Sequence, residues 1–278
     1  MTWVKKECPT IPSLEHFSPK IAKRFTDMKL CNTLICRSGW IKKYMEKFNI
    51  KADKDAIEWV IKNIDYPLLF GIFPTDRHVW NAFNGKACYT ITLDYWQTAW
   101  ETLMTYVLNN RIKGIQGYGD CEDTAILTAS LLRLLKIPSY VCLGVVYDQN
   151  HNMLGGHGWT IARLSDGKWH LIETTLDIPP KYPGGYPIID PSKEDWVITL
   201  QTPEGNVTLE YKAWIKFNEA EYYESTEAVN DFSKSNNSTF NATLVYSSMF
   251  NKKNKHSRKK VKYIKEVWHS AIADGWKN

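Results

Sequence analysis

An apolar run from Ala125 to Leu135, opened by Gly117-Tyr118-Gly119-Asp120-Cys121-Glu122-Asp123, constrains this chain more than any other stretch. Asp120 stands where an N-cap belongs, and Asp123 falls three residues later in the spacing of a capping box. The stretch therefore reads as a helix whose first residue is Cys121. First-turn N–H groups lack intrahelical partners and the helix dipole is positive there, so a thiolate is expected to be favoured at Cys121. Gly117 and Gly119 allow backbone to approach a ligand closely. The plainer alternative is a small residue packed at a helix start.

The helix stops at Lys136-Ile137-Pro138, and the pattern then becomes strand-like. Tyr140 to Tyr147 reads as a strand, Asp148 to Gly156 as a polar loop, and His157 to Leu164 and Trp169 to Thr175 as two further strands. The loop between the last two decides which side chains share a face. A two-residue Asp-Gly loop puts Glu173 on the face opposite His157. A three-residue Ser165-Asp166-Gly167 loop, with Gly167 left-handed, pairs Leu164 with Lys168 and Trp159 with Glu173. His157 and Glu173 are then diagonal neighbours on one face, and the longer loop is the expectation adopted. Taken singly, His157 would be a structural histidine and Glu173 a solvated one.

The helix-opening Gly-Asp-Cys-Glu-Asp, the Gly-Gly-His-Gly-Trp strand start and the Trp-x-x-x-Glu-x-Thr strand together resemble the transglutaminase-like superfamily, especially its microbial cysteine-peptidase-like members. The resemblance covers roughly residues 50 to 190. Upstream it takes in Ala56-Ile57-Glu58-Trp59-Val60 leading to Ile64-Asp65-Tyr66, and Asp94-Tyr95-Trp96-Gln97-Thr98 ahead of Glu101-Thr102-Leu103. It implies Cys121 as nucleophile, His157 as base and Glu173 as the carboxylate that orients the histidine. The family more often has Asp at the third place, so Glu173 is a departure. The resemblance also points to Trp96 or Gln97 as a second oxyanion donor beside the Cys121 N–H, with Asp120 and Trp159 as positioning residues.

At 278 residues and 44% hydrophobic the chain can bury a sizeable core. No stretch approaches eighteen uninterrupted apolar residues and the N-terminus lacks a signal-peptide apolar region, so a cytoplasmic location without a transmembrane segment is the default expectation. The six cysteines (Cys8, Cys31, Cys36, Cys88, Cys121 and Cys142) form no C-x-x-C pair, which favours reduced thiols and argues against structural zinc. Ile21, Phe25 and Met28, then Ile41, Tyr44, Met45 and Phe48, fall at helical spacing in an N-terminal helical layer. Asp53 to Ile64 gives another helix, and Asp94 to Asn110 a further one capped by Thr92 or Asp94, with Trp96 and Gln97 in its first turn. Pro67 to Tyr89 is aromatic and irregular, and His78 within it has no catalytic partner in sequence. Trp196 to Leu200 and Asn206 to Phe217 read as strands around a Thr202-Pro203-Glu204-Gly205 turn. Three N-x-Ser/Thr sequons lie between Ser233 and Thr243.

Lys252 to Lys265 holds eight Lys or Arg and no acid, which leaves the rest of a chain of net charge +5 at −3. A solvated tail is the simple reading; attraction to nucleic acid, an anionic surface or an acidic partner is the sharper one. A terminal amphipathic helix is expected at Ile264, Val267, Trp268, Ala271 and Ile272.

The resulting expectation is an α+β, papain/transglutaminase-like fold: a nucleophile helix packed on an antiparallel sheet, with extra N-terminal helices. Its divisions are a helical extension (1–50), a catalytic domain (51–218) and a C-terminal extension (219–278). The expected activity is thiol-dependent hydrolysis of a peptide or amide bond on a protein or peptide substrate. No metal or other cofactor is called for. Glutamine acyl transfer on the same residues, and a non-catalytic binding protein with an anion-binding tail, are the alternatives. Zinc bound by Cys121 and His157 lacks a third ligand at any recognisable spacing.

Overall fold

The computed structural model describes residues 3–9, 29–35, 37–65, 96–109, 117–175, 185–202 and 205–226. Outside these lie Ile21, Phe25 and Met28, Cys36 and Cys88, the 67–89 stretch with His78, Thr92 and Asp94. So do the sequons, the basic stretch Lys252 to Lys265 and the expected terminal helix.

The elements in chain order are β1 (Trp3–Lys6), α1 (Leu30–Leu34), α2 (Gly39–Lys47), α3 (Asp53–Asn63), β2 (Ile64–Asp65), α4 (Ala99–Asn109), β3 (Gly117–Tyr118) and α5 (Cys121–Leu134). The strands β4 (Ser139–Asp148), β5 (Met153–Arg163), β6 (Trp169–Ile172), β7 (Asp195–Thr202), β8 (Gly205–Phe217) and β9 (Tyr222–Ser225) follow.

Helix α5 starts at Cys121 with the Asp120/Asp123 capping box in place, as the sequence predicts. Every residue from Cys121 to Leu132 is buried, because α5 lies between the sheet and helices α2, α3 and α4. Its polar residues survive there by bonding backward along the helix: Thr124 Oγ1 donates to the Asp120 carbonyl and Ser130 Oγ to that of Ile126. Ile126, Leu127, Leu131 and Leu132 each contribute on the order of 1.5–3 kcal/mol by leaving water.

Helix α4 corrects an expectation. Its cap is Thr98, whose Oγ1 accepts from the Glu101 N–H while Glu101 Oε2 accepts from the Thr98 N–H, so Trp96 and Gln97 precede the helix instead of forming its first turn. A Thr-x-x-Glu box supplies two bonds that satisfy orphan donors, which is why the helix begins there.

Seven strands form one sheet in the order β1-β9-β8-β4-β5-β6, with β7 sharing the long β8 as partner. Strand β7 pairs with 205–212 of β8 and β9 with 215–217, on the same edge, while β4 takes the other. The Gly167 N–H donates to Leu164, the Leu164 N–H donates to Lys168, and Gly167 has φ +79°; this is the three-residue loop expected. Thr160 pairs with Ile172, a register that carried one step further sets Trp159 beside Glu173. Strand β5 starts earlier than expected, at Met153, because the β4–β5 ladder continues through an irregularity at Val146/Tyr147.

Strands β1 and β9, which the sequence reading does not foresee, close the far edge and pair with each other. The expectation of reduced thiols throughout is also corrected: Cys8 and Cys31 are joined in a disulfide at a Cα separation of 6.3 Å, since the end of β1 runs beside α1. Cys121 and Cys142 are free and buried.

Candidate active site

Residues along β5 alternate across the sheet. Gly158 and Thr160 turn to α5, Thr160 Oγ1 donating to the Ala125 carbonyl at 3.1 Å, while Trp159 and Ile161 join the opposite core with Cys142, Trp196 and Tyr211. His157 lies with the second set, its ring 6.1 Å from Trp159 and 6.0 Å from Tyr211 between centroids.

Glu173 follows the last residue of β6 and is 1% exposed. Four donors converge on its carboxylate. Oε2 sits 2.7 Å from His157 Nε2 and accepts from the Tyr211 hydroxyl at 3.0 Å, and Oε1 accepts from Thr175 N at 2.9 Å and Thr175 Oγ1 at 2.6 Å. Burial alone would raise the Glu173 pKa, but His157 and the Thr175 donors overcome it and leave it below the usual carboxylate value. An ionised carboxylate only accepts, so the hydrogen between the two side chains belongs to His157 Nε2.

The N-terminus of α5 touches the same strand. A Cβ on Gly158 would come 2.8 Å from Glu122 Cα, and the Gly158 N–H hydrogen-bonds Cys121. The thiol itself donates to Glu122 Oε2 at 3.0 Å. Burial, then the negative charges of Glu122 and Asp120, push the Cys121 thiol well above its ordinary value, and the Gly158 N–H pulls only weakly against them. The sequence expectation of a favoured thiolate is thereby corrected. The helix end helps, but two flanking carboxylates in a dry setting outweigh it, because charge effects grow as the local dielectric falls.

Gln97 is fully buried and committed elsewhere: its backbone N–H donates to Asp123 Oδ1 at 2.6 Å and its side-chain Nε2 to Asp123 Oδ2. It pins the segment before α4 to the first turn of α5. Burial lifts Asp123 to about 8 against these donors, which lower it. Trp96 is buried next to Gln97, Asp120 is the half-buried cap of α5, and Trp159 is fully buried with its ring edge-on to Tyr211 at 5.1 Å. Asp120, Cys121 and Glu122 bring three possible metal-ligand atoms within 4.8 Å of one another, a grouping that does not include His157.

Sequence reasoning missed Tyr211 and the role of Glu122. Tyr211 alternates correctly within its strand, but which strand reaches Glu173 is a matter of sheet order. Thr175, by contrast, stands inside the Trp-x-x-x-Glu-x-Thr pattern.

A capped cysteine helix against an antiparallel sheet that carries a paired histidine and carboxylate defines an α+β protein of papain/transglutaminase-like fold. Residues 43–174, just under half of the chain, match the family model of the transglutaminase-like superfamily. Among solved structures, a protein of Cytophaga hutchinsonii described as a candidate cysteine protease is 16% identical with a TM-score of 0.33, covering 62% of this chain. The chain spans 47% of that protein's length. An arylamine N-acetyltransferase of Nocardia farcinica is 13% identical with a TM-score of 0.34, covering 74% of this chain and 71% of its own. No curated protein matches. The superfamily fold supports thiol-dependent catalysis. Among the described residues no helix is long and apolar enough to cross a membrane.

Proposed function

We propose that this protein cleaves a peptide or amide bond through an acyl-enzyme on Cys121, with His157 moving protons and Glu173 orienting His157. One observation carries the reading: a buried His157–Glu173 pair, 2.7 Å apart, on the strand that touches the first turn of the Cys121 helix.

The chemistry follows from the atoms. With Nε2 committed to Glu173, Nδ1 is the ring nitrogen left for the thiol in this proposal, which requires His157 and Cys121 to meet where β5 touches the start of α5. Cys121 Sγ attacks the carbonyl carbon, its proton passes to His157, and the imidazolium protonates the departing amine as the C–N bond breaks. Water, losing a proton to His157, then attacks the thioester, and the acid leaves as the thiol is restored. Because the resting sulfur is a thiol bonded to Glu122, the thiolate forms during the reaction and is not stored beforehand. The Cys121 N–H, in the unpaired first turn, and Trp96 are the oxyanion donors of this proposal, with Asp120 and Trp159 shaping the surroundings.

Iodoacetamide labelling across pH with peptide mapping tests it, in wild type and His157→Ala. Cys121 should label at least ~10-fold slower without His157. Labelling that is indifferent to His157, or no faster than that of buried Cys142, overturns the reading.

A further inference from the structure

A glutamate has one more rotatable bond than an aspartate, and a carboxylate that must hold a histidine in one orientation needs each oxygen fixed. Thr175 fixes Oε1 twice, from two residues along the same segment. Oε2, the oxygen that meets His157, is held from a different element: Tyr211 on β8 reaches it across the sheet at 3.0 Å. The intervening strand β4 lets β8 come close at this point: Gly144, the residue that pairs with His157 on one side and Ala213 on the other, has no Cβ, which would fall 2.0 Å from the Lys212 carbonyl oxygen. The Tyr211 ring is 1% exposed, wedged edge-on against Trp159 and tilted against the His157 ring, which restricts where its hydroxyl can point.

We propose that Tyr211 is a positioning residue of this site: its hydroxyl locks Glu173 Oε2 against His157 Nε2 and so sets the tautomer and orientation of His157. The inference rests on the acyl-enzyme reading above for its catalytic meaning, but the tautomer is a property of the folded protein alone. A buried tyrosine hydroxyl that had merely found a partner would affect stability and nothing else. A positioning hydroxyl also affects which ring nitrogen of His157 carries the hydrogen.

The test compares wild type, Tyr211→Phe, Glu173→Gln and the double variant of the full chain. The readouts are the nitrogen NMR shifts of the His157 ring, assigned with His157→Ala, and the labelling rate of Cys121. In wild type His157 should be the Nε2–H tautomer. Tyr211→Phe should turn it into a mixture and slow labelling about 10-fold, the worth of one hydrogen bond to a charged group. In the Glu173→Gln background the same change should add less than about 2-fold, since residues acting as one unit are non-additive. An unchanged tautomer in Tyr211→Phe, or an equal effect with and without the Glu173 carboxylate, overturns the proposal. A tautomer that responds to Tyr211 while wild-type labelling ignores His157 supports the positioning role and sinks the acyl-enzyme reading instead. Should Tyr211→Phe not fold, 3-fluorotyrosine at this position keeps the ring and strengthens the donor; a shifted His157 signal supports the role and an unshifted one overturns it.

Discussion

At the residue scale, the site holds two opposed arrangements of charge. Around Glu173, four donors keep a buried carboxylate ionised. Around Cys121, the neighbouring carboxylates hold the sulfur protonated, Glu122 foremost after burial itself. The sign of a Glu122→Gln change follows: removing a negative charge and an acceptor beside the thiol lowers its pKa toward the ordinary value and increases the thiolate fraction near neutral pH. Iodoacetamide should then label Cys121 in Glu122→Gln several-fold faster than in wild type, roughly 3–10-fold. A slower or equal rate would mean that Glu122 does not restrain the thiol. Composition and spacing reveal that a carboxylate follows the cysteine, but the side-chain rotamer that points it back at the sulfur belongs to packing. The positions of Cys121 and Glu173 carry local signals, a helix cap and the end of a strand pattern, whereas His157 lies inside β5, which starts four residues before it. Tyr211 was not legible, since nothing within its strand distinguishes it from Tyr222 or Tyr223.

At the scale of elements, the contact between β5 and the start of α5 determines how near the histidine strand comes to the cysteine helix. That contact has no room for a side chain, as the Gly158 position would bring a Cβ 2.8 Å from the Glu122 backbone. Gly158→Ala must therefore displace one element from the other. Overpacking of this kind costs about 1–3 kcal/mol, and it separates β5 from Cys121. Thermal denaturation should show the loss, and Cys121 labelling should lose most of its dependence on His157. A variant with unchanged melting temperature and unchanged labelling would show that the close approach is not needed. The strand periods and the odd-length loop at Ser165-Asp166-Gly167 were readable locally, because a left-handed glycine and a period of two depend on near neighbours. The start of α4 was misplaced for the same local reason. Two residue types able to cap occur upstream, and the Thr98/Glu101 box, which satisfies more groups, prevails.

At the scale of the whole molecule, the far edge of the sheet is tied together by Glu221. Its carboxylate accepts from Lys5 on β1, from Tyr140 on β4 at 2.6 Å and from Tyr223 on β9. The bond from Lys5, followed by that from Tyr140, lowers Glu221 from 4.5 to about 2. A folded-state pKa below the unfolded one gives stability that is fully present above about 4.5 and is lost as pH falls toward about 2. Wild type should therefore lose melting temperature through that window more steeply than Glu221→Gln, while above it wild type is the more stable of the two. Parallel acid melts of the two proteins check this, and identical slopes would exclude Glu221 as the acid-sensitive tie. The same edge holds the disulfide between Cys8 and Cys31, which no spacing rule discloses because the fold alone brings β1 beside α1.

The sequence by itself determined the Cys121 helix, its cap, the strand that bears His157, the shorter strand that Glu173 follows, and the loop that places both on one face, since all of these depend on residues a few positions apart. The tertiary structure alone decided the sheet order, the reach of Tyr211 to Glu173, the protonated state of Cys121 and the β1–β9 edge. Those depend on which distant segments meet, and on how dry the meeting place is, and neither is encoded in any one stretch of chain.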